Sequence, residues 1–287
     1  MTFNSKKISI VIPIYNNIES ILLLIEKLVL LLKNIPHEYE IIVVDDGSSD
    51  GAFEKLKELA KGNHKLRGIQ LDTNYGQVPA IIEGLKHSNG DCCVIMSADM
   101  QEPASLIEVM ITEWENGNSL VIASRIERKD SFMAAIMSNL LFAFLSIFYK
   151  KMPKSGFDFG LLDKSVYTEL KKVNPYRCFL QISILNLATT IKYVNYTRQV
   201  SYSGKSSWNF KKKFFYSLNA ILEIDSKFFL YFIYFGVALS ILSGFVSSPL
   251  NYILLSFALV VIVASAYIFK NILIRLSLAM PSVKEQF

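Results

Sequence analysis

The sequence predicts an α/β protein built on a mostly parallel sheet, followed by two helices that cross a membrane. Two observations carry this expectation. Over the first 125 residues, short β-branched runs alternate with segments of helical period, as in sheets covered by helices on both faces. Between Lys227 and Lys270, residues 228–269 form 42 consecutive positions without a charge.

The elements follow in order. ISIVI (8–12) reads as a strand and 18–33 as a helix; EIIVV (40–44) is followed by a helix over 51–61, and RGIQL (67–71) by one over 77–88. DCCVIM (91–96) and SLVIAS (119–124) bracket a further helix from Pro103 to Glu115. In open sheets of this kind, ligands sit at the carboxyl ends of the strands, so the chemistry is expected there.

The uncharged run breaks at Ser247-Ser248-Pro249, leaving 228–246 and 250–269. Each half is long enough to cross a hydrocarbon core of ~30 Å. Lys211, Lys212, Lys213 and Lys227 precede the pair and Lys270 and Arg275 follow it, which keeps both ends on the cytoplasmic side. Residues 131–149 are also uncharged, but Lys129 and Asp130 stand before them and Lys150, Lys151 and Lys154 after. The expectation over 131–152 is an interfacial helix rather than a span. The domain plan is therefore 1–210 cytosolic, 211–227 a basic juxtamembrane helix, 228–270 a transmembrane hairpin and 271–287 a short cytosolic tail.

Composition narrows the class. With 52% hydrophobic and 19% charged residues over 287 positions, the chain is neither disordered nor fibrous. A net charge of +5 suits an anionic partner such as a membrane surface or a nucleotide-bearing substrate. Cys92, Cys93 and Cys178 read as reduced core thiols, and His37, His64 and His87 as surface residues, none at zinc-ligand spacing. The N-terminus enters its first strand without the apolar segment of a signal peptide, so the first domain is expected in the cytosol. Lys211-Lys212-Lys213 before Phe214-Phe215-Tyr216 fits anionic headgroups and a membrane interface, not nucleic acid.

Two acidic segments follow strands. In Asp45-Asp46-Gly47-Ser48-Ser49-Asp50, two carboxylates stand at a strand end, where they can accept from a base or ribose or help organise a metal. Gly47 permits the tight exit, and Ser49 or Asp50 can cap the next helix. A plain turn and cap is the alternative reading of these residues alone. In Ser97-Ala98-Asp99-Met100-Gln101-Glu102-Pro103, Asp99 and Gln101 alternate in a segment expected to be extended, so both could face one hard cation, Mg²⁺ or Mn²⁺, whose oxygen shell a diphosphate would complete. An N-cap is again the simpler alternative for that segment alone.

VIPIYNN (11–17), VVDDGSSDG (43–51), NYGQ (74–77), SADMQEP (97–103), the SR-x-x-R of 124–128, GFDFGLLD (156–163) and GKSSW (204–208) occur in the order found in glycosyltransferase family 2. Together with the apolar pair, the set resembles the polyprenyl-phosphate glycosyltransferases, over roughly residues 8–270. The resemblance implies a GT-A (Rossmann-like) catalytic domain and inverting transfer of one sugar from a nucleotide-sugar donor to a lipid phosphate, at the cytoplasmic face of a bacterial inner membrane. It implies that Pro13, Tyr15, Asn17, Asp45, Asp46, Asn74, Gln77, Ser97 and Ala98 surround the nucleotide-sugar, with Tyr15 stacking on the base. Asp99 and Gln101 would hold Mg²⁺ or Mn²⁺. Arg125, Arg128, Lys205 and Ser206 would meet phosphate, and Asp158, with Asp99 and Arg125, would lie at the reacting centre. The resemblance further suggests a homo-oligomer and a downstream flippase.

The chain departs from the family pattern. Asn17 replaces a common glutamate, Ser97 an aspartate, Gly160 an arginine, and Ser201 another arginine. These losses leave open a catalytically inactive membrane-bound scaffold of the same fold. The donor is expected to be UDP-glucose or another UDP-hexose, with a mannosyltransferase using GDP-mannose as the alternative. Gly204-Lys205-Ser206 is not a P-loop, since Gln199 stands where a glycine is required. No G-x-G-x-x-G occurs, so a dinucleotide oxidoreductase has no phosphate turn. A processive synthase would carry Q-x-x-R-W, and neither Trp114 nor Trp208 has that context.

Overall fold

The continuous apolar runs become strands because both of their faces are covered. β1 (Lys7–Ile14), β2 (Glu38–Asp45), β3 (Leu66–Leu71) and β4 (Cys92–Ile95) alternate with α1 (Ile18–Leu32), α2 (Ala52–Ala60) and α3 (Gln77–Lys86), and α4 (Leu106–Glu115) leads into β5 (Leu120–Arg125). Then come β6 (Gly160–Asp163), α5 (Lys164–Leu170), α6 (Leu180–Leu187), β7 (Ile191–Tyr196) and β8 (Val283–Gln286). The computed structural model describes residues 5–125, 150–153, 156–176, 178–198, 234–238, 241, 255–256, 258–263, 265 and 280–287.

Packing follows the sequence periods. On α1, Ile21, Leu24, Ile25, Leu28 and Leu32 form the buried stripe and join Ile8, Ile10 and Ile12 of β1 in the core. The opposite side-chain parity of the sheet faces α3. A Cβ on Gly84 would lie 2.5 Å from Val11 Cγ1 and 2.9 Å from Val44 Cγ2, so that helix rests directly on β1 and β2. Each buried Ile or Leu contributes about 1.5–3 kcal/mol relative to exposure, and these two layers hold the sheet rigid beneath its loops.

The sheet runs β7-β5-β6-β4-β1-β2-β3-β8 among the described residues. β1 pairs in parallel with β2 and β4, β2 with β3, and β5 with β7, whereas β6 runs antiparallel between β4 and β5. The antiparallel β6 leaves β4 and β5 pointing the same way. The carboxyl ends of β1–β5 and β7, together with the amino end of β6, therefore line one edge of the sheet.

All five strands and four helices expected in the first 125 residues are present, each within a few residues of its expected bounds. β6, β7, β8, α5 and α6 are elements beyond that expectation. The last residues, expected as a tail, form the outer strand: β8 pairs antiparallel with β3, and Gly68 and Phe287 exchange backbone hydrogen bonds at 3.1 and 3.0 Å. The Phe287 ring stacks obliquely on Phe53 with centroids 5.1 Å apart and covers Gly68, where any side chain would collide with it. Lys57 pairs with Glu285 across the same junction. A strand with every residue exposed has no apolar period to reveal it.

Cys92 and Cys93 are buried thiols of β4, as expected. His37 is a correction. Expected at the surface, it is buried, accepts from the Lys6 backbone N–H at Nδ1 (3.4 Å) and lies 3.2 Å from Glu115 through Nε2. A single polar residue beside a strand carries no sign of which neighbours will cover it.

Two compact units are present, one of Met1–Pro175, Leu180–Asn209 and Met280–Phe287 and the other of Tyr176–Phe179 and Phe210–Ala279. Most of the expected hairpin, together with residues 131–149 and 211–227, lies outside the described residues. Those described within the hairpin, 234–238, 241, 255–256, 258–263 and 265, are helical. Among the described residues no helix is long and apolar enough to cross a membrane.

Phe287→Ala is expected to lower unfolding free energy by about 2 kcal/mol, less than a fully buried aromatic because the ring is partly exposed. Urea denaturation measures it. A loss below about 0.5 kcal/mol would mean that the terminal strand adds nothing to the sheet.

Candidate active site

The site edge is assembled from loops that hydrogen-bond to one another. Asn16, in the left-handed region at φ 54°, donates its backbone N–H to Ser48 Oγ at 2.9 Å and accepts the Ser49 N–H on Oδ1 at 2.9 Å. Asp50 accepts from the first residues of two helices, Ile18 N–H at 2.9 Å and Ala52 N–H at 3.1 Å. The β1–α1 and β2–α2 loops are thereby joined. Asn17 Oδ1 accepts the Tyr15 N–H at 3.2 Å, and Tyr15 is left 42% exposed at the strand end.

Asp45 and Asp46 are buried, at 1% and 3% exposure. Asp45 accepts from Ser48 N–H (2.9 Å) and from Gln70 Nε2 (3.3 Å). Asp46 takes the backbone N–H groups of Tyr75 and Gly76, each at 2.7 Å. The pair expected to face a nucleotide first of all pins the loops around it. Burial pushes the Asp46 carboxyl up to about 6, against the two N–H bonds that favour its charge and with the neighbouring Asp45 adding to the rise. Gly47 is required twice over: its φ is +71°, and a Cβ there would lie 2.7 Å from the carbonyl carbon of Thr73. Asn74 and Gln77 stay exposed beside this loop, Gln77 opening α3.

The second cluster lies beyond β4. The segment after it is a turn rather than the extended run expected, because Met100 adopts φ 58° and Asp99 Oδ1 accepts the Gln101 N–H at 3.1 Å. The simple alternation argument for Asp99 and Gln101 therefore fails. The charges around the turn are crowded. Glu102, 3% exposed, is pushed up to about 7 by burial, with Asp99 and Asp158 adding repulsion that Arg125 and Arg198 only partly offset. Its Oε2 has no hydrogen-bond partner. Among the described residues no three His, Cys, Asp or Glu side chains are grouped to hold a metal ion, so the side-chain oxygens of Asp99 and Gln101 would need ligands from a bound diphosphate or water to complete a cation's shell.

Arg125 closes β5 with its side chain 8% exposed. Its Nη2 lies 2.8 Å from Asp158 Oδ2 and 3.6 Å from Glu102 Oε1, and its Nε donates to Tyr196 Oη at 3.0 Å. Burial opposes its charge, but Asp158, Tyr196 and Glu102 overcome that and leave the guanidinium a stronger base than usual. Asp158 also accepts weakly from Gln181 Nε2 at 3.4 Å and remains exposed.

The structure thus brings Tyr15, Asn17, Asp45, Asp46, Asn74 and Gln77 into one set of loops and Asp99, Arg125 and Asp158 into another on the same sheet edge. Pro13 and Ser97 are half-buried beside them, and Ala98 is buried. Arg128, Lys205 and Ser206 lie outside the described residues. Gly160 sits in β6 between β4 and β5, where a Cβ would come within 3.2 Å of Val121 O. Glu102, Gln181 and Tyr196 carried no signal in the sequence beyond the acid preceding Pro103.

The model of "Glycosyl transferase family 2" matches residues 9–165. The chain is 30% identical over 237 residues to the protein named "Putative glycosyltransferase CsbB" of Bacillus subtilis (strain 168), covering 82% of this chain and 72% of that protein. It is 38% identical over 159 residues to an undecaprenyl-phosphate 4-deoxy-4-formamido-L-arabinose transferase of Photorhabdus laumondii, covering 55% of this chain and 48% of that protein. It therefore spans only about half of that longer relative. Among solved structures, mannosyl-3-phosphoglycerate synthase from Rubrobacter xylanophilus superposes with a TM-score of 0.56 at 15% identity, covering 77% of this chain and 74% of that one. Glucosyl-3-phosphoglycerate synthase from Mycobacterium tuberculosis, in complex with Mn²⁺, UDP-glucose and phosphoglyceric acid, gives 0.55 at 16% identity, covering 77% and 79%. The α/β fold is GT-A-like.

Two substitutions separate the roles of Gly47. Gly51 also has positive φ, at +80°, but open space around it, so Gly51→Ala should cost about 1 kcal/mol from backbone strain alone. Gly47→Ala should cost about 3 kcal/mol, because the loop must also move off Thr73; equal losses in denaturation would show that the contact is unimportant. The Asp46 carboxyl binds its proton more tightly folded than unfolded, so its contribution is greatest below about pH 4 and is lost as pH rises through about 6. Relative to Asp46→Asn, wild-type thermal stability should therefore improve as pH falls from 7.5 to 5, and a flat difference would contradict the shift.

Proposed function

The chain belongs to glycosyl transferase family 2, and from that premise we propose that it transfers a single sugar from a nucleotide-sugar to polyprenyl phosphate at the cytoplasmic face of a bacterial inner membrane. UDP-glucose or another UDP-hexose is the donor and undecaprenyl phosphate the acceptor.

The observation that carries the lipid acceptor is the inverted burial of the described hairpin residues. Gly236, Ala258 and Ser265 are buried, whereas Tyr234, Phe235, Ile241, Leu255, Leu259, Val260 and Val263 are more than half exposed. A Cβ on Gly236 would lie 3.0 Å from Ile262 Cγ1 and 3.5 Å from Ala258 O, so the two stretches pack backbone to backbone over small residues. Small residues inside and large apolar ones outside is the pattern of helices whose solvent is lipid, and in water it would be an aggregation surface. A hairpin of two crossings agrees with chain connectivity. The strand after the apolar run, β8, joins the same sheet as the strands before it, which requires an even number of spans.

In the transfer, an acceptor phosphate oxygen bonds to the anomeric carbon while the bond from that carbon to the donor diphosphate breaks, its electron pair leaving with the nucleoside diphosphate. Attack from the opposite face inverts the centre. A phosphate monoester with its second pKa near 6 is mostly a dianion at pH 7, so no base is needed to create the nucleophile. Asp158, held by Arg125 and Gln181, orients groups at the centre, and Arg125 offsets phosphate charge. Tyr15 offers its exposed ring to the base, within loops fixed by Asp45, Asp46 and Asn17. Arg128, Lys205 and Ser206 complete the phosphate contacts in this reading. A Mg²⁺ or Mn²⁺ held by Asp99 and Gln101 would stabilise the departing diphosphate.

The test is transfer of radiolabel from single nucleotide-sugars to undecaprenyl phosphate by the detergent-purified protein, read in the organic phase. One donor should give metal-dependent lipid label, and Asp99→Ala should reduce it at least 100-fold, on the order of losing one transition-state electrostatic contact. Nucleotide binding without lipid label from any UDP- or GDP-hexose would favour the scaffold reading.

A further inference from the structure

Arg125 is placed by a closed ring of side chains from three parts of the sheet edge. Its Nε–H donates to Tyr196 Oη at 3.0 Å, the Tyr196 hydroxyl donates to Glu102 Oε1 at 3.4 Å, and that oxygen lies 3.6 Å from Arg125 Nη2. The register explains how the ring forms: Arg125 and Tyr196 are paired residues at the ends of the parallel strands β5 and β7, while Glu102 comes from the turn between β4 and α4. A guanidinium has a planar fork of donors on a long side chain that samples many rotamers when free. With Nε on Tyr196 and Nη2 held between Glu102 Oε1 and Asp158 Oδ2, the latter at 2.8 Å, the fork is fixed at three points. Glu102 is buried and Asp158 is exposed, so the ring holds the arginine from behind and presents it outward.

Resting on the reading of Arg125 and Asp158 as parts of the reacting centre, we propose that Glu102 and Tyr196 are positioning residues that act through Arg125 to set the Arg125–Asp158 pair for transfer. Neither touches substrate. Their effect belongs to turnover and not to donor binding, since the loops around Tyr15 and Asp46 are built from other residues.

Glu102→Gln and Tyr196→Phe test this in the full-length protein, with Arg125→Lys and both double variants. With the donor that the wild type uses, each single variant should lower kcat 10- to 100-fold with donor KM changed less than threefold and the thermal midpoint nearly kept. Adding either change to Arg125→Lys should lower kcat little further, because the route through Arg125 is already broken. Crystal structures of the two single variants should show the guanidinium displaced from Asp158. A full additional loss in the Arg125→Lys background, or an undisturbed Arg125–Asp158 contact in both variants, would overturn the proposal. An Arg125→Lys protein with wild-type turnover would instead overturn the assignment of Arg125 to the centre. The crystallographic result stands even if no donor in the transfer assay is used.

Discussion

Everything in this protein's site depends on strand direction. Because β1 to β5 and β7 all point one way and β6 enters against them, seven chain segments deliver their polar residues to a single edge of the sheet. Two apolar layers, α1 on one face and α3 on the other, keep that edge from deforming. The loops at the edge are free to differ in sequence only where they do not support each other, and here most do. Asn16, Asp46, Gly47 and Asp50 are each engaged with a neighbouring loop or with two helix starts, so the rim is one hydrogen-bonded structure.

Charge is the second constraint. Asp99, Glu102 and Asp158 crowd one end of the edge, and Arg125 lies among them with its own charge nearly out of water. Burial, with Asp99 and Asp158 nearby, raises the proton affinity of Glu102. Such crowding is costly unless the charges are offset, and Arg125 and Arg198 offset it only in part. Arg125 shares its donors among Asp158, Tyr196 and Glu102 and does not spend them on one partner.

Much of this was legible in the sequence and some was not, for physical reasons. The first five strands were legible because burial on both faces demands continuous β-branched runs, and the acidic segments because they follow those runs directly. Asp45 and Asp46 are legible as a pair, but the direction of their bonds is not, since a carboxylate reads the same whether it faces a ligand or a backbone N–H. The left-handed turn at Met100 was hidden, as a non-glycine residue there carries no compositional mark. Glu102, Gln181 and Tyr196 act by long-range contact, 94 residues separating Glu102 from Tyr196, and no local period encodes such a pair. β8 is not legible because an exposed edge strand lacks the alternation by which strands are recognised.

The central claim is that one sugar, and no phosphate, moves onto a lipid phosphate. The most direct measurement is the mass of the lipid product formed by purified protein from undecaprenyl phosphate and its donor. Undecaprenyl phosphate heavier by one glycosyl residue, with a single phosphorus, is the result expected from attack at the anomeric carbon. A product with two phosphorus atoms would mean that a sugar phosphate had been transferred, and would contradict the account.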